Sequence, residues 1–301
     1  MTERVDIAGV EERPRPTEPA QPGPFATMWR VFARMPLSAQ FGTVVILAYV
    51  FVAVFAPWLA PFRESQIVGA QFEPWSAAFP FGTDQLGRDL LTRLIYGARN
   101  TIGIAVLTTG LAFLIGGLLG LLASVVGGWL DQALSRCVDV LMAIPLLIFA
   151  LVLLSIFGTS VFNLVLIIAV LDSTRVFRLA RATAMNVVVM EFVETARLQG
   201  ESLLWIMTRE VLPNILPPLT AEFGLRFCFV FLTISALSFL GLGIQPPTAD
   251  WGSMVRENAT LIAYGDPTPL LPAGAIALLT VAVNFVVDWF LHKTSGLRDE
   301  A

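Results

Sequence analysis

Residues 101–126 read TIGIAVLTTGLAFLIGGLLGLLASVV, and no charged residue interrupts the chain between positions 100 and 130. About 20 apolar residues in a helix are enough to cross the hydrocarbon core of a bilayer. Inside lipid the backbone must satisfy its own hydrogen bonds, so a run of this length predicts a helix rather than a barrel strand. The stretch therefore predicts a membrane-spanning helix in an all-α fold.

Other parts of the chain have the same character. Further charge-free runs cover residues 35–62, 140–171, 227–249 and 267–287, and the run 140–171 is broken at Gly158-Thr159-Ser160. We therefore expect a polytopic membrane protein with six transmembrane helices, near 41–60, 101–126, 138–157, 161–180, 215–243 and 270–291. The fourth is the weakest, because Asp172 and Arg175 lie in its last turns.

Composition agrees with a membrane protein and excludes several functions. Apolar residues make up 56% of the 301 residues and charged residues only 14%, against about a quarter in soluble domains. The net charge of −4 and the lack of a basic patch argue against a nucleic-acid partner. Lys293 is the single lysine, so the chain has no glycine-rich phosphate loop ending in Gly-Lys-Ser/Thr for binding ATP.

Metal and cofactor chemistry is not expected. His292 is the single histidine, which excludes histidine-based metal sites and catalytic triads. Cys137 and Cys228 are far apart in the sequence beside apolar runs, and we expect both to be small buried hydrophobic residues.

The distribution of basic residues predicts the orientation. With the N-terminus inside, 13 of the 19 basic residues fall in cytoplasmic segments and five in external ones. The positive-inside rule then places both termini in the cytoplasm. The expected organisation is a cytoplasmic tail at 1–40, disordered in its proline-rich first part, a transmembrane domain at 41–291, and a cytoplasmic tail at 292–301.

The cytoplasmic segment 191–214, EFVETARLQGESLLWIMTREVLPN, predicts two short helices joined at Gly200 and ended by Pro213. Glycine allows the positive φ that a sharp turn between helices requires. Apolar side chains lie in this polar segment, at Leu198, Leu203, Leu204 and Ile206. An amphipathic helix pair of this kind suits docking into a groove of a cytosolic partner. A helix lying along the membrane surface is the alternative.

Two charges fall within the fifth predicted span. Glu222 and Arg226 are four residues apart and share one helix face. An unpaired charge at the centre of a spanning helix costs about 2.5–3.5 kcal/mol on insertion scales. The pair either lines a translocation pathway or forms an internal salt bridge that fixes helix packing, and the sequence leaves both open.

The pattern Glu194-x-Ala196-x-x-x-Gly200, followed after ten residues by Val211-Leu212-Pro213, resembles the "EAA" loop of ABC-importer permease subunits. The chain departs from that pattern at Thr195, where the family has a second alanine. In the family this loop forms the coupling helix that sits in a cleft of the ATPase subunit. The resemblance implies a coupling site formed by Glu194, Ala196, Leu198, Gly200, Leu203, Leu204 and Pro213.

Two further motifs narrow the resemblance. FGTDQLGRD at 81–89, and SALSFLGLGIQPP at 235–247 with Trp251-Gly252 after it, are similar to motifs of the "C" permease subunit of the dipeptide/oligopeptide/nickel branch. From the residues themselves we expect Asp84 to cap a short interfacial helix that runs to Tyr96. Pro246-Pro247 should stop the fifth span, and Trp251 should anchor at the membrane interface.

The resemblance implies a type I ABC-importer permease in the bacterial cytoplasmic membrane. The implied partners are a homologous second permease subunit, two cytosolic ATPase subunits, an extracytoplasmic solute-binding protein and the lipid bilayer. Di- or oligopeptides are the expected substrates, with nickel, opines and glutathione as other solutes of the branch. The alternatives are a stand-alone channel or secondary transporter, and a membrane-embedded enzyme, for which this chain has too few ionisable groups in its spans.

Overall fold

The computed structural model describes Arg30 and residues 32–295, with side chains up to Lys293. Its helices are α1 Leu37–Leu59, α2 Leu90–Val126, α3 Gly128–Met142, α4 Leu146–Phe157, α5 Val161–Val188, α6 Glu191–Leu198, α7 Leu203–Phe239, α8 Trp251–Asn258 and α9 Leu270–Ser295. In this part of the chain, β-pairing is limited to two isolated bridges between Ile67 and Arg88 and between Thr83 and Asp89. The expected helical fold is confirmed there. The proline-rich start of the N-terminal tail and the end of the C-terminal tail lie outside the described residues.

Among the described residues, four helices are long and apolar enough to cross a membrane, namely α1, α2, α7 and α9. Together α3 and α4 form a fifth candidate if they make one broken span. Helix α5 has 28 residues, but Asp172, Arg175 and Arg178 make it more polar than the others. The structure is thus that of a polytopic membrane protein with four or five candidate spans by length and composition.

The third predicted span is not a single straight helix. α3 ends at Met142, α4 begins at Leu146, and the two helices are bent by 87° relative to each other. Pro145 immediately precedes α4, and the residue before a proline avoids the helical conformation. One continuous helix over 138–157 was therefore the wrong prediction. The predicted break at Gly158-Thr159-Ser160 is confirmed, because it separates α4 from α5.

Helices α2 and α5 pack at close range through small residues. A Cβ atom built on Gly116 would overlap the backbone carbonyl of Ser173. A Cβ on Gly120 would lie 2.8 Å from the carbonyl oxygen of Phe177. The Gly-x-x-x-Gly spacing therefore lets the two backbones approach more closely than any side chain would allow.

Helix α7 continues through Pro213 rather than ending there. The segment Ile206–Val211 forms a π-helical turn, and Pro213 follows in the first turn of the α-helical part. A proline ring collides with the carbonyl four residues earlier in a regular α-helix, and a widened π turn changes that spacing. The prediction that Pro213 ends the second short helix is wrong, since that helix is the start of α7.

The N-terminal end of α2 also differs from expectation. The helix begins at Leu90, and the carboxylate of Asp89 accepts a hydrogen bond from Thr92 N at 2.7 Å, as an N-cap does. Asp84 caps no helix, and the separate interfacial helix predicted to run to Tyr96 does not exist. Its residues form a loop and the first turns of the 37-residue helix α2.

The C-terminal end of α7 is set by a glycine. Gly241 has a φ of +87°, and Leu242 N donates to the carbonyl of Leu237 at 2.9 Å, which is the closure of a Schellman motif. Helix α7 therefore ends at Phe239, before Pro246 is reached. The prediction that Pro246-Pro247 stops this span is wrong.

The two cysteines differ in exposure. Cys228 is buried in α7, as predicted, whereas Cys137 on α3 is exposed and departs from the prediction. Within the described residues, no three His, Cys, Asp or Glu side chains are grouped in a way that could hold a metal ion.

Candidate functional site

The turn at Gly200 has the conformation that the sequence predicts. Gly200 has a φ of +81°, and Glu201 N donates to the carbonyl of Ala196 at 3.1 Å, so the chain reverses directly after α6. No atom lies within 4 Å of a Cβ built on Gly200. The position therefore requires glycine for its backbone conformation and not for lack of space.

Three leucines around this turn face away from the bundle. Leu198 is 83% exposed, Leu204 is 69% exposed, and Leu203 is also exposed. We call these three the leucine surface. Because exposed apolar side chains grouped in this way mark interaction sites, the leucine surface is a candidate docking site.

The inner side of the same segment is fixed to the bundle. Ala196 and Ile206 are buried. From the sequence, Ile206 was expected to face outward with the three leucines. Arg197 Nη2 donates to the carbonyl of Val125 at the end of α2, at 3.1 Å. Glu194 is exposed, and so is Pro213, which follows the π turn at Ile206–Val211. The segment thus has one face packed on the bundle and one face free.

The two charges predicted within α7 form an ion pair and have further partners. Arg226 Nε lies 2.6 Å from Glu222 Oε1, and Arg226 Nη1 lies 3.7 Å from Asp172 Oδ1 on α5. The guanidinium also stacks over Phe229, 4.7 Å from the ring centroid. Asp172 Oδ1 in turn lies 3.9 Å from Arg175 Nη1. The partners on α5 were not expected from the sequence, although charges in neighbouring spans are expected to pair across helices.

We expect Glu222 and Arg226 to be energetically coupled. Arg226→Gln should impair assembly and transport most, because it leaves Glu222 and Asp172 without their shared cation. Glu222→Gln should be milder, and the double variant should be less impaired than the sum of the two single effects. A double-mutant cycle on transport rate and on the yield of assembled complex should give a coupling energy of about 0.5–3 kcal/mol. Strictly additive effects would show that the pair does not act as a unit.

A second charged cluster lies where the loop before α2 meets the start of α2 and α8. It was not found from the sequence. Arg88 Nε is 2.6 Å and Arg93 Nε is 3.3 Å from Asp84 Oδ2. Both guanidinium groups also lie 3.4 Å from Glu257 Oε2 on α8. We call these four residues the buried charge cluster, because none of their side chains is more than 4% exposed. The charges of the two arginines and the two carboxylates cancel within the cluster. Because Glu257 belongs to α8, these ion pairs attach the motif at 81–89 and the start of α2 to α8.

Hydrogen bonds extend this attachment. Thr101 Oγ1 donates to Asp250 Oδ1 at 2.9 Å, and Asn100 Nδ2 donates to the carbonyl of Ala249 at 2.9 Å. The other carboxylate oxygen of Asp250 caps α8 by accepting from Ser253 N at 2.9 Å. Burial raises the pKa of Asp250. The N-terminal part of α2 and the start of α8 are therefore joined into one unit by these hydrogen bonds.

Trp251 lies inside this unit rather than at the membrane interface. Its indole Nε1 donates to the carbonyl of Leu94 at 2.9 Å, and its ring makes edge-to-face contacts with Tyr49 and Phe231. A Cβ on Gly97 would lie 2.6 Å from the indole, so this glycine provides the space that the ring fills. The prediction of an interfacial anchor is wrong, because the indole finds its hydrogen-bond acceptor within the protein.

Two family profiles match the chain. The one described as "Binding-protein-dependent transport system inner membrane component" covers residues 112–293. The one described as "N-terminal TM domain of oligopeptide transport permease C" covers residues 23–76.

Several curated proteins are similar over most of the chain. The di/tripeptide transport system permease protein DppC of Pseudomonas aeruginosa (strain UCBPP-PA14) is 36% identical over 92% of this chain and 91% of that protein. The dipeptide transport system permease protein DppC of Alkalihalophilus pseudofirmus is 33% identical over 86% of this chain and 83% of that protein. The glutathione transport system permease protein GsiD of Pectobacterium atrosepticum is 31% identical over 92% of this chain and 90% of that protein.

A solved structure supports the fold. The chain matches a structure titled "Crystal structure of an amino acid ABC transporter with histidines" with a TM-score of 0.51 and 18% sequence identity. The match covers 67% of this chain and 94% of that one.

Proposed function

The chain belongs to the family of binding-protein-dependent transport system inner membrane components, the permease subunits of ABC importers, and from that premise we propose that it conducts di- or oligopeptides across the bacterial cytoplasmic membrane. A permease subunit is not itself an enzyme, and ATP is hydrolysed on a separate chain. The alternatives of a stand-alone channel, a secondary transporter and a membrane-embedded enzyme are thereby set aside.

The observation that carries the peptide assignment is the agreement between the relatives and the N-terminal profile. Relatives named for di/tripeptide and dipeptide transport match 92% and 86% of the chain, and residues 23–76 match a profile named for oligopeptide permease C. A relative named for glutathione transport fits the same assignment, because glutathione is a short peptide.

We propose a six-span topology with both termini in the cytoplasm. In it, α3 and α4 together make the third span and α5 makes the fourth. The polar residues of α5 support this topology, because Asp172 and Arg175 are paired with each other and with α7 instead of facing lipid alone. The excess of basic residues in the segments then assigned to the cytoplasm supports the orientation.

The proposed partners are a homologous second permease, two cytosolic ATPase subunits and a solute-binding protein outside. The pathway would lie between the two permease subunits. The leucine surface would dock in a cleft of one ATPase subunit, and the turn at Gly200 would hold it in register. Closure of the ATPases on binding ATP would then move α6 and, through the continuous helix α7, the charged residues within the membrane.

Replacing Gly200 by valine tests this coupling role. A β-branched residue at a φ of +81° is strained by about 1–3 kcal/mol, so the turn should distort and shift the leucine surface. We expect the variant to insert and to pair with its permease partner, but to lose the ATPase subunits or to hydrolyse ATP without uptake. Co-purification of the subunits and peptide uptake should be measured on the same membranes.

Gly265→Val is the matched control. Gly265 has a φ of +76° and open space around it, so the substitution introduces the same backbone strain after α8, far along the chain from the leucine surface. It should retain ATPase binding. Normal binding and uptake in Gly200→Val would mean that this loop is not the coupling element. If Gly200→Val is degraded, Leu204→Asp tests the coupling role in its place. The Leu204 side chain is 69% exposed, so its replacement should weaken ATPase binding without affecting folding.

A further inference from the structure

A cavity of about 210 Å³ lies where α4, α5 and α7 meet. Leu146 and Leu147 from the start of α4 line it, as do Asp172 and Arg175 from α5 and Phe229 and Thr233 from α7. Pockets for drug-sized ligands usually measure about 300–1,000 Å³. This cavity is smaller, and it fits the backbone of a short peptide or one end of a longer one.

One end of the cavity favours a carboxylate. Helix α4 starts there, and no side chain caps its first turn, so its amide N–H groups and positive dipole end are available to an anion. Arg175 is 41% exposed. Its ion pair with Asp172, at 3.9 Å, is longer than the about 2.7–2.9 Å of a charge-assisted hydrogen bond. The guanidinium can therefore take a carboxylate as a bidentate partner.

A second group in the cavity, the carboxylate of Asp172, favours an ammonium group. The side chain of Asp172 is 2% exposed, and its Oδ2 atom has no hydrogen-bond partner within the part of the chain that the structure describes. A buried carboxylate oxygen without a donor is costly. Its two ion pairs, at 3.7 and 3.9 Å, both involve the other oxygen. A primary ammonium entering the cavity would supply the missing donor.

Helix α4 has only 12 residues and is about 18 Å long. If Phe157 lies near the outer surface, as in the proposed topology, the start of α4 is well inside the hydrocarbon layer of about 30 Å. Broken helices whose N-termini point at anionic groups of a substrate are a recognised way to build a site at that depth.

On the premise of the proposed function, we propose that this cavity is a binding site within the permease for the zwitterionic backbone of a small peptide. The α-carboxylate binds the start of α4 and Arg175, and the α-ammonium binds Asp172. The site would select for free peptide termini during passage, in addition to any selection made by the solute-binding protein.

The test is uptake by the complete importer in proteoliposomes, with three probes: dialanine, dialanine amide, which lacks the carboxylate, and N-acetyl-dialanine, which lacks the ammonium. The same binding protein serves every variant, so its own preferences cancel when variant and wild type are compared. Arg175→Gln should reduce the preference for dialanine over its amide by about tenfold. Asp172→Asn should reduce the preference over N-acetyl-dialanine by a similar factor.

Arg178→Gln is the matched control on the same helix, because Arg178 is exposed and pairs with Asp139 on α3, outside the cavity. It should keep the wild-type preferences. Wild-type preferences in both Arg175→Gln and Asp172→Asn would overturn the site while leaving peptide transport intact. A wild-type importer that carries none of the three probes would overturn the proposed function, and this inference with it.

A second pair of variants leaves every charge in place. Leu147→Trp should fill the cavity and reduce dialanine uptake at least tenfold, with assembly of the complex unchanged. Ile148→Trp, on the next residue, does not line the cavity and should transport normally. Wild-type uptake by Leu147→Trp would contradict the proposal even if the charge variants failed to assemble.

Discussion

Replacing Arg93 by methionine should lower the stability of this permease by about 3–5 kcal/mol, because it removes one of the two cations that compensate two buried carboxylates. Asp84 and Glu257 would each lose one of two ion pairs, and little solvent is available to replace it, because their side chains are 0% and 4% exposed. Methionine replaces most of the volume, so the loss would report on charge rather than on a cavity. The effect should appear as a lower unfolding midpoint of the purified complex in mixed micelles.

Arg99→Met provides the comparison on the same helix. Arg99 is exposed, and its replacement should change stability by less than about 0.5 kcal/mol. Adding Glu257→Gln to Arg93→Met should recover part of the loss, since one of the stranded charges is then removed. A midpoint for Arg93→Met equal to that of Arg99→Met would mean that the buried charge cluster does not hold the start of α2 and α8 together.

Replacing Gly116 by leucine should separate α2 from α5. Even a Cβ atom at this position overlaps the carbonyl of Ser173, which belongs to a helix backbone and cannot rotate away. Overpacking of a core usually costs about 1–3 kcal/mol, and here two helices have to move apart. We expect loss of the folded subunit, measured as monodisperse protein after solubilisation.

The neighbouring Gly117 offers a control that differs in position by one residue. A Cβ there meets no atom within 4 Å, and the residue lines an open apolar groove between α2 and α7. Gly117→Leu should therefore fold, and removing a glycine from a helix interior favours the helix by up to about 1 kcal/mol. Equal yields for the two variants would contradict the close packing of α2 on α5.

Much of the helical organisation could be predicted, because length and hydropathy are local properties of the sequence. The run at 101–126 and the break at Gly158 needed no tertiary information. The helix ends were less predictable. Pro213 was expected to end a helix, but a proline in a first turn is compatible with helix, and the π turn before it depends on packing.

The buried charge cluster shows why parts of the sites could not be found. Arg93 and Glu257 are 164 positions apart in the sequence, and without the fold nothing distinguishes these charges from solvated ones. Trp251 was expected at the interface for the same reason, because its acceptor, the carbonyl of Leu94, is brought near only by the packing of α8 on α2. In contrast, the turn at Gly200 could be predicted, since a glycine between two amphipathic segments is a local signal.

The unequal environments of the two cysteines give this chain a natural attachment point for a spectroscopic reporter. Cys137 is accessible on α3 while Cys228 is enclosed in α7, so a maleimide dye or nitroxide should react at the first and spare the second in the folded protein. A reporter at 137 sits five residues before the end of α3, next to the 87° bend. Distance measurements from it to a second label on α9 would follow that angle through the transport cycle without engineering a cysteine-free background.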